Sequence, residues 1–545
     1  MRPLDWAVLV LTLFAVVAYG LWKARGTKTT DQYLRAGNTM PWYAMALSIM
    51  ATQASAITFI STTGQAYVDG MRFVQFYFGL PLAMIVISVT VVPLFHRANV
   101  YTAYEYLERR FDAKTRTLVS AIFLIQRGLA VGLALSAPAI VLTVLLGWPD
   151  LYTTVVMGGI VVAYTVFGGV QAVTWTDFQQ MLIMMAGLAA AFCMAIYLLP
   201  DGIGLSGALT VAGAAGKLNP VTTNFSWDDR YNIWSGLFGG MFLALAYFGC
   251  DQSQVQRYLT GSSIAQSRMS LLFNAVAKIP MQFSILLTGA MVFAFFTFVQ
   301  PPLLFQPADL KKLQAKPEYS ALQQRYESAF VQRREAANAL VGGQGSAAAF
   351  SAAQNEMDAV RKAAAKTAGS NDTNYIFLHF VLHYLPQGIV GLVFAAILAA
   401  AMSTISGEIN SLATVSVIDI YKRMFRPEAA DAHYLWASRI FTAFWGVYAV
   451  VTAQFAKNLG SLVEAVNLLG SLFYGGILGV FALAIYFPSV GARGAFYGVL
   501  FGEAVIFTLH FTGATSFLWY NVAGCAAVIV SGLLISRVSG EAVAR

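Results

Sequence analysis

Ala400, Ser403, Thr404 and Gly407 are spaced i, i+3, i+4 and i+7, so in a helix they share one face and set two hydroxyls side by side. A hard cation such as sodium prefers oxygen ligands, and two hydroxyls with carbonyls from an unwound neighbour can replace its hydration shell. The same hydroxyls can instead bond back to the preceding turn of their own helix, which needs no ligand. Two further stretches could supply bare carbonyls. Met50 to Phe59 breaks an aliphatic run with small and hydroxylated residues, and Gly236, Gly239, Gly240 and Gly249 lead into the polar CDQSQVQRYL. Unwound backbone is tolerated inside a membrane only where it lines a cavity. Close helix packing through small residues accounts for the glycines equally well.

Ionisable groups inside apolar stretches each need a partner or a function. Arg127, in LIQRGLA, could bind a carboxylate through two parallel hydrogen bonds or sit in an ion pair with Asp177 or Glu408. Lys278 is a second cation at similar depth, and two cations near one cavity favour an anionic solute. Glu408 has no assigned role, and could pair with either cation or titrate and couple to protons. Asp251 and Arg257 close the seventh apolar stretch, where a structural salt bridge is the expectation. His379 and His383 are four apart, but Phe380 stands where a zinc protease needs glutamate, so packing accounts for the pair. No nucleophile and base pair, phosphate-binding loop or transition-metal ligand set occurs. The chain reads as a non-enzyme.

The elements that must position these residues are membrane helices. Of 545 residues 58% are hydrophobic and 11% charged, against roughly half and a quarter in soluble domains, which excludes an ordinary soluble enzyme. About thirteen spans begin near residues 4, 41, 71, 117, 152, 174, 231, 266, 386, 433, 460, 493 and 516. Basic residues cluster in the turns after the first and third spans, which places those turns in the cytoplasm, the N-terminus outside and the C-terminus, with Arg537 and Arg545, inside. That clustering also argues against nucleic acid as the partner of the +8 net charge. Residues 301–375 are polar and too long for a turn, and are expected to form surface helices outside. Cys193, Cys250 and Cys525 show no metal or redox spacing.

Four ordered motifs then carry a family resemblance: TAYEYLERRF, YTVFGGVQAVTWTDFQQ, CDQSQVQRYL and MSTISGEINSLATVSVIDIY. Over roughly residues 1 to 490 the chain resembles the sodium/solute symporters, which include iodide, multivitamin, monocarboxylate and glucose cotransporters and bacterial sialic acid carriers. The resemblance implies an all-α membrane protein with a LeuT-like core of two inverted five-helix repeats over 41–487. It implies one extra helix before the core, 1–24, and two after it within 493–545. By the same resemblance the principal sodium site falls on Ala51 and Ala54, through carbonyls, and on Ala400, Ser403 and Thr404. A second sodium site falls on Asp177 and Ser406, and is put in doubt by Gly407, where some members carry a hydroxyl. Solute contacts fall on Gln53, Thr58, Tyr77, Lys278 and Asn467, with Tyr247 as an aromatic inner gate and Arg127 as a candidate carboxylate ligand.

The sequence thus leads to a sodium-coupled symporter, with sodium as the coupling ion. It imports a small polar solute, with a carboxylated one included, by alternating access across the plasma membrane, or the inner membrane in a bacterium. A proton-coupled or neutral-sugar carrier on the same fold, and a solute-sensing receptor or channel, are the alternatives. Its partners are the solute, sodium and the lipid bilayer. No oligomeric state is specified, and a monomer suffices.

Overall fold

The computed structural model describes residues 1–23, 25, 28–455 and 461–540. Ala24, the predicted span start at Gly460, and Arg545 lie outside these. The described residues are helical throughout, without a named strand. Apolar stretches this long have to satisfy their backbone within each segment, which in lipid selects helices.

The helices that matter for the site, numbered in chain order, begin with α1 (Pro3–Lys23), α2 (Trp42–Gln53), α3 (Thr58–Asp69), α4 (Met71–Ala98) and α5 (Ala113–Leu146). They continue with α6 (Asp150–Tyr197), α7 (Ser235–Gly249), α8 (Gln252–Tyr258) and α9 (Ile264–Phe298). After a polar helical segment come α10 (Ile376–Tyr384), α11 (Ile389–Phe425), α12 (Asp431–Ala453), α13 (Leu462–Tyr486), α14 (Ala492–Thr512) and α15 (Leu518–Val538).

Among the described residues ten helices are long and apolar enough to cross a membrane, and the bent pair α2 and α3 makes an eleventh. The remaining two of the thirteen expected spans differ for physical reasons. The fifth and sixth are fused in α6, whose 48 residues turn at Gly169, a glycine at φ 58° and ψ −164° that no side chain would tolerate cheaply. The seventh, α7, is too short and enters through a π-helical turn over Ser235–Gly239.

The two predicted breaks divide. α2 stops at Gln53, Ala54 leaves the helical region at φ −87° and ψ 66°, and α3 resumes at Thr58, bent by 61°. The glycines of α7, by contrast, are packing residues. A Cβ at Gly236 or Gly240 would collide with the carbonyls of Gln75 and Phe76 on α4, and one at Gly239 would sit 2.8 Å from the Leu518 carbonyl of α15. The chain unwinds later, at Cys250 and Asp251, before Asp251 caps α8 through Ser253 N.

α11 is the most enclosed helix, buried along nearly its whole length. α1 docks against its start, where Asp5 Oδ1 accepts from Gly388 N at 2.6 Å and Gly391 leaves room for the Asp5 backbone. Residues 301–375 form the expected polar helices, Pro307–Gln314, Tyr319–Val341 and Ala347–Ala368. They have a small core of their own around Leu313, Tyr326, Phe330 and Met357. Buried Arg333 ties them to α9 by donating to the Phe296 carbonyl at 2.6 Å.

Candidate functional site: a cavity at the broken helix

The break between α2 and α3 faces the hydroxyl stripe of α11. Thr404 Oγ1 lies 2.9 Å from the Thr52 carbonyl oxygen and 3.2 Å from that of Ala400 on its own helix, so the cross-helix contact and the back-bond coexist. Ala51, Ala54, Ala400, Ser403 and Thr404 are all buried here. The Ser403 hydroxyl faces the Asp177 carboxylate without a hydrogen bond of ordinary geometry. Tyr164 donates to the Met402 carbonyl at 2.8 Å and steadies the backbone just before Ser403. Oxygen atoms from two helices therefore converge where one chain lacks its helical partners, which is the donor set a hard cation uses.

Beside this point opens a cavity that reaches solvent, between α2, α3, α4, α5, α7, α11 and α13. Six of the seven predicted solute contacts line it: Gln53, Thr58, Tyr77, Arg127, Tyr247 and Asn467. Each comes from a different setting. Gln53 ends α2 and Thr58 begins α3, with Thr58 Oγ1 donating to the Gln53 carbonyl at 3.3 Å. Asn467 lies on the second turn of α13, whose start is pinned to α3 by Ser61: its hydroxyl is 3.1 Å from Ser461 Oγ and accepts from Val463 N at 3.2 Å. Tyr247 packs 6.1 Å from the Tyr474 ring and accepts from Gln254 Nε2 at 2.7 Å.

Lys278 departs from the expectation. It is fully buried on α9, its Nζ has no hydrogen-bond partner, and it stands 5.5 Å over the Tyr77 ring without joining the lining of the cavity. Arg127 lines the cavity but is already engaged. Its guanidinium donates to Glu408 Oε1 at 2.9 Å, to Tyr474 Oη at 2.5 Å and, in a close ion pair, to Asp251 Oδ2. Tyr474 donates in turn to Asp251 at 3.0 Å. One cation thus meets two carboxylates, and two of the positive charges that pointed to an anionic solute are answered or shielded.

Asp251 and Arg257 do not pair with each other. Asp251 goes to Arg127, whereas Arg257 Nη1 lies 2.6 Å from Asp177 Oδ2. Ser406, the other candidate second-site residue, donates to the Ser403 carbonyl at 3.0 Å. Sequence reasoning did not reach Tyr474, Gln126 or Ser48. Gln126 stands next to Arg127 and lines the cavity, a position that neighbouring Arg127 could have signalled. Ser48 donates to Asp177 at 2.6 Å and lies one helical turn before Thr52 on the face that carries the break. Tyr474 sits in an ordinary apolar run and offered no signal.

A model described as the sodium:solute symporter family matches residues 33–308 and 347–502. The Proteus mirabilis sodium/sialic acid symporter SiaT is 26% identical over 539 residues, covering 97% of this chain and 94% of that protein. Sodium-coupled monocarboxylate transporter 1 of Xenopus laevis is 28% identical over 511 residues, covering 92% of this chain and 71% of that protein. The structure of a substrate-bound, outward-open sodium-coupled sialic acid symporter superposes with a TM-score of 0.77 at 25% identity, covering 98% of both chains. With the broken α2 and α3, the interrupted α7 and α8 and a family match that covers both 33–308 and 347–502, the chain belongs to the sodium:solute symporter family.

Proposed function

We propose that this protein is a sodium-coupled secondary active symporter that imports a small polar solute by alternating access. One observation carries the ion side of the reading: the unwound turn after Gln53 faces Thr404 across 2.9 Å, with Ser403 beside it. Sodium would be held by the Ala51, Ala54 and Ala400 carbonyls and the Ser403 and Thr404 hydroxyls. Its binding joins α11 to the broken helix and fixes the turn from which Gln53 and Thr58 enter the cavity. Affinity for the solute then rises with sodium because both ligands stabilise one arrangement of the same turn.

The solute is hydrophilic, since amide and hydroxyl groups of Gln53, Thr58, Gln126 and Asn467 punctuate otherwise apolar walls. A solute carboxylate would reach Arg127 only by replacing Glu408 or Asp251. Sodium is favoured over the proton as coupling ion because Glu408 is committed to Arg127, at 2.9 Å. In this reading the transport core is 41–487, with α1 before it and α14 and α15 after it. The N-terminus is outside, the C-terminus inside, the external helices lie within 301–375, and the functional unit is a monomer in the bilayer.

Uptake into proteoliposomes, screened over sugars, sugar acids, monocarboxylates and vitamins, tests the reading. Accumulation should require an inward sodium gradient and fall to background when choline replaces sodium. Accumulation that follows a pH gradient without sodium would overturn it in favour of proton coupling.

A further inference from the structure

The family resemblance places a second sodium ion at Asp177 and Ser406, beside position 407. In this chain that ground is taken by a side chain. Arg257 reaches in from α8, 3% exposed, and its Nη1 lies 2.6 Å from Asp177 Oδ2 and 2.5 Å from Ser48 Oγ. Its Nη2 lies against the bare α-carbon of Gly407: a Cβ added there would collide with the guanidinium. Gly407 is helical and has ordinary backbone angles, so its lack of a side chain serves space and not conformation.

We infer that the Arg257 guanidinium, admitted by Gly407, is the built-in counter-cation of Asp177, and that the transporter therefore binds one sodium ion per cycle. Asp177 is fully buried and brings one negative charge. With Arg257 in contact the pair is neutral. A sodium ion on the same carboxylate would set two positive charges against one negative charge where water does not reach, and the desolvation of that extra charge has no compensation. Ser406 meanwhile gives its proton to its own helix, at the Ser403 carbonyl. The remaining oxygen, Asp177 Oδ1, faces Ser403, which belongs to the principal site. A hydroxyl-bearing residue at 407 would both supply a ligand and push the guanidinium off, so this one position sets the ion count. Asp177 and Arg257 then act as positioning residues, holding Ser48, Ser403 and the α8 turn in register around a single ion.

The inference rests on the sodium reading above, and equilibrium binding of radioactive sodium alone to the purified full-length protein in lipid nanodiscs separates the two. One ion per chain with a Hill coefficient of about 1 is expected. Two ions per chain would overturn the inference while leaving sodium coupling intact, and no bound sodium would remove both. Gly407→Ser should displace Arg257 and raise the count towards two, and Arg257→Gln in the same background should complete it. Arg257→Lys, which keeps the charge, should stay at one. Folded Gly407→Ser protein, alone or combined with Arg257→Gln, that still binds one ion would show that the guanidinium is not what excludes the second ion. If these variants fail to fold, the count on the unmodified protein decides.

Discussion

Arg127 Nη1 donates to Glu408 Oε1 at 2.9 Å, joining α5 to α11 at the wall of the cavity, and the same guanidinium closes on Asp251 beyond α7. Three helices are thus held by one buried cation. Removing it strands two carboxylates in a site 2–4% exposed, and breaking a buried pair in this way costs about 3–5 kcal/mol. Arg127→Met should therefore lower the melting temperature sharply and abolish uptake. Arg127→Met combined with Glu408→Gln should recover part of that loss, because one of the two unpaired charges is gone. A double variant as unstable as the sum of the single changes would show that Arg127 and Glu408 do not interact energetically.

The hydroxyl pair on α11 gives a second expectation. Ser403→Ala removes a hydroxyl that faces the Asp177 carboxylate but makes no hydrogen bond of ordinary geometry, so it should leave the fold intact and act chiefly on sodium. Loss of one interaction with a charged partner is worth roughly 1.5–3 kcal/mol, which is roughly 10- to 150-fold in the sodium concentration for half-maximal transport. Thr404→Val should cost more than Ser403→Ala in stability, since Thr404 also bridges to the Thr52 carbonyl. Unchanged sodium dependence in both variants would remove the ion from this place.

The stripe on α11 was readable because helical spacing fixes which residues share a face, and burial of that whole face follows from its unbroken apolar and small composition. The break after Gln53 was readable for a similar reason: small and hydroxylated residues interrupt a span at mid-depth. What sequence could not resolve was which of two equal causes operates. The α7 glycines admit either unwinding or close approach, and only the positions of Gln75, Phe76 and Leu518 decide for the latter. Long-range ion pairing was legible only in part: Glu408 was a named partner for Arg127, at 2.9 Å in the structure, but the others were not. Arg127 and Asp251 are 124 residues apart, Arg257 and Asp177 are 80 apart, and nothing local in either stretch distinguishes these partners from the nearer pairing of Asp251 with Arg257. For Lys278, depth along α9 is visible in sequence, whereas its place over the Tyr77 ring, outside the cavity lining, is not.

The orientation proposed for the chain can be read from labelling. Cys193 is exposed, so Cys193→Ser provides a background without that reactive thiol. In that background Lys311→Cys, exposed on the helix Pro307–Gln314, should react with a membrane-impermeant maleimide added to intact cells. Arg426→Cys, exposed after the end of α11, should react only once the membrane is opened. The reverse pattern would invert the topology and with it the direction in which the cavity opens.

A pH effect is expected at the junction between the polar helices of 301–375 and the core. The His379 ring on α10 stacks 4.1 Å from His383 and packs 5.4 Å from Phe305 and 6.1 Å from Phe296. Burial first, and the neighbouring His383 second, pull its pKa down from 6.5 to about 4. Because the folded value lies below the unfolded one, the unfolded chain takes up this proton first. The contribution of neutral His379 is complete above pH 6.5 and is lost as the pH falls from there through about 4. His379→Phe keeps an aromatic ring among Phe305, Phe296 and Tyr384 while removing the titration. The melting temperature of the unmodified protein should therefore fall more steeply between pH 6.5 and pH 4 than that of His379→Phe, with the two curves parallel above pH 7. Parallel curves across the whole range would mean that His379 keeps an ordinary proton affinity at this junction.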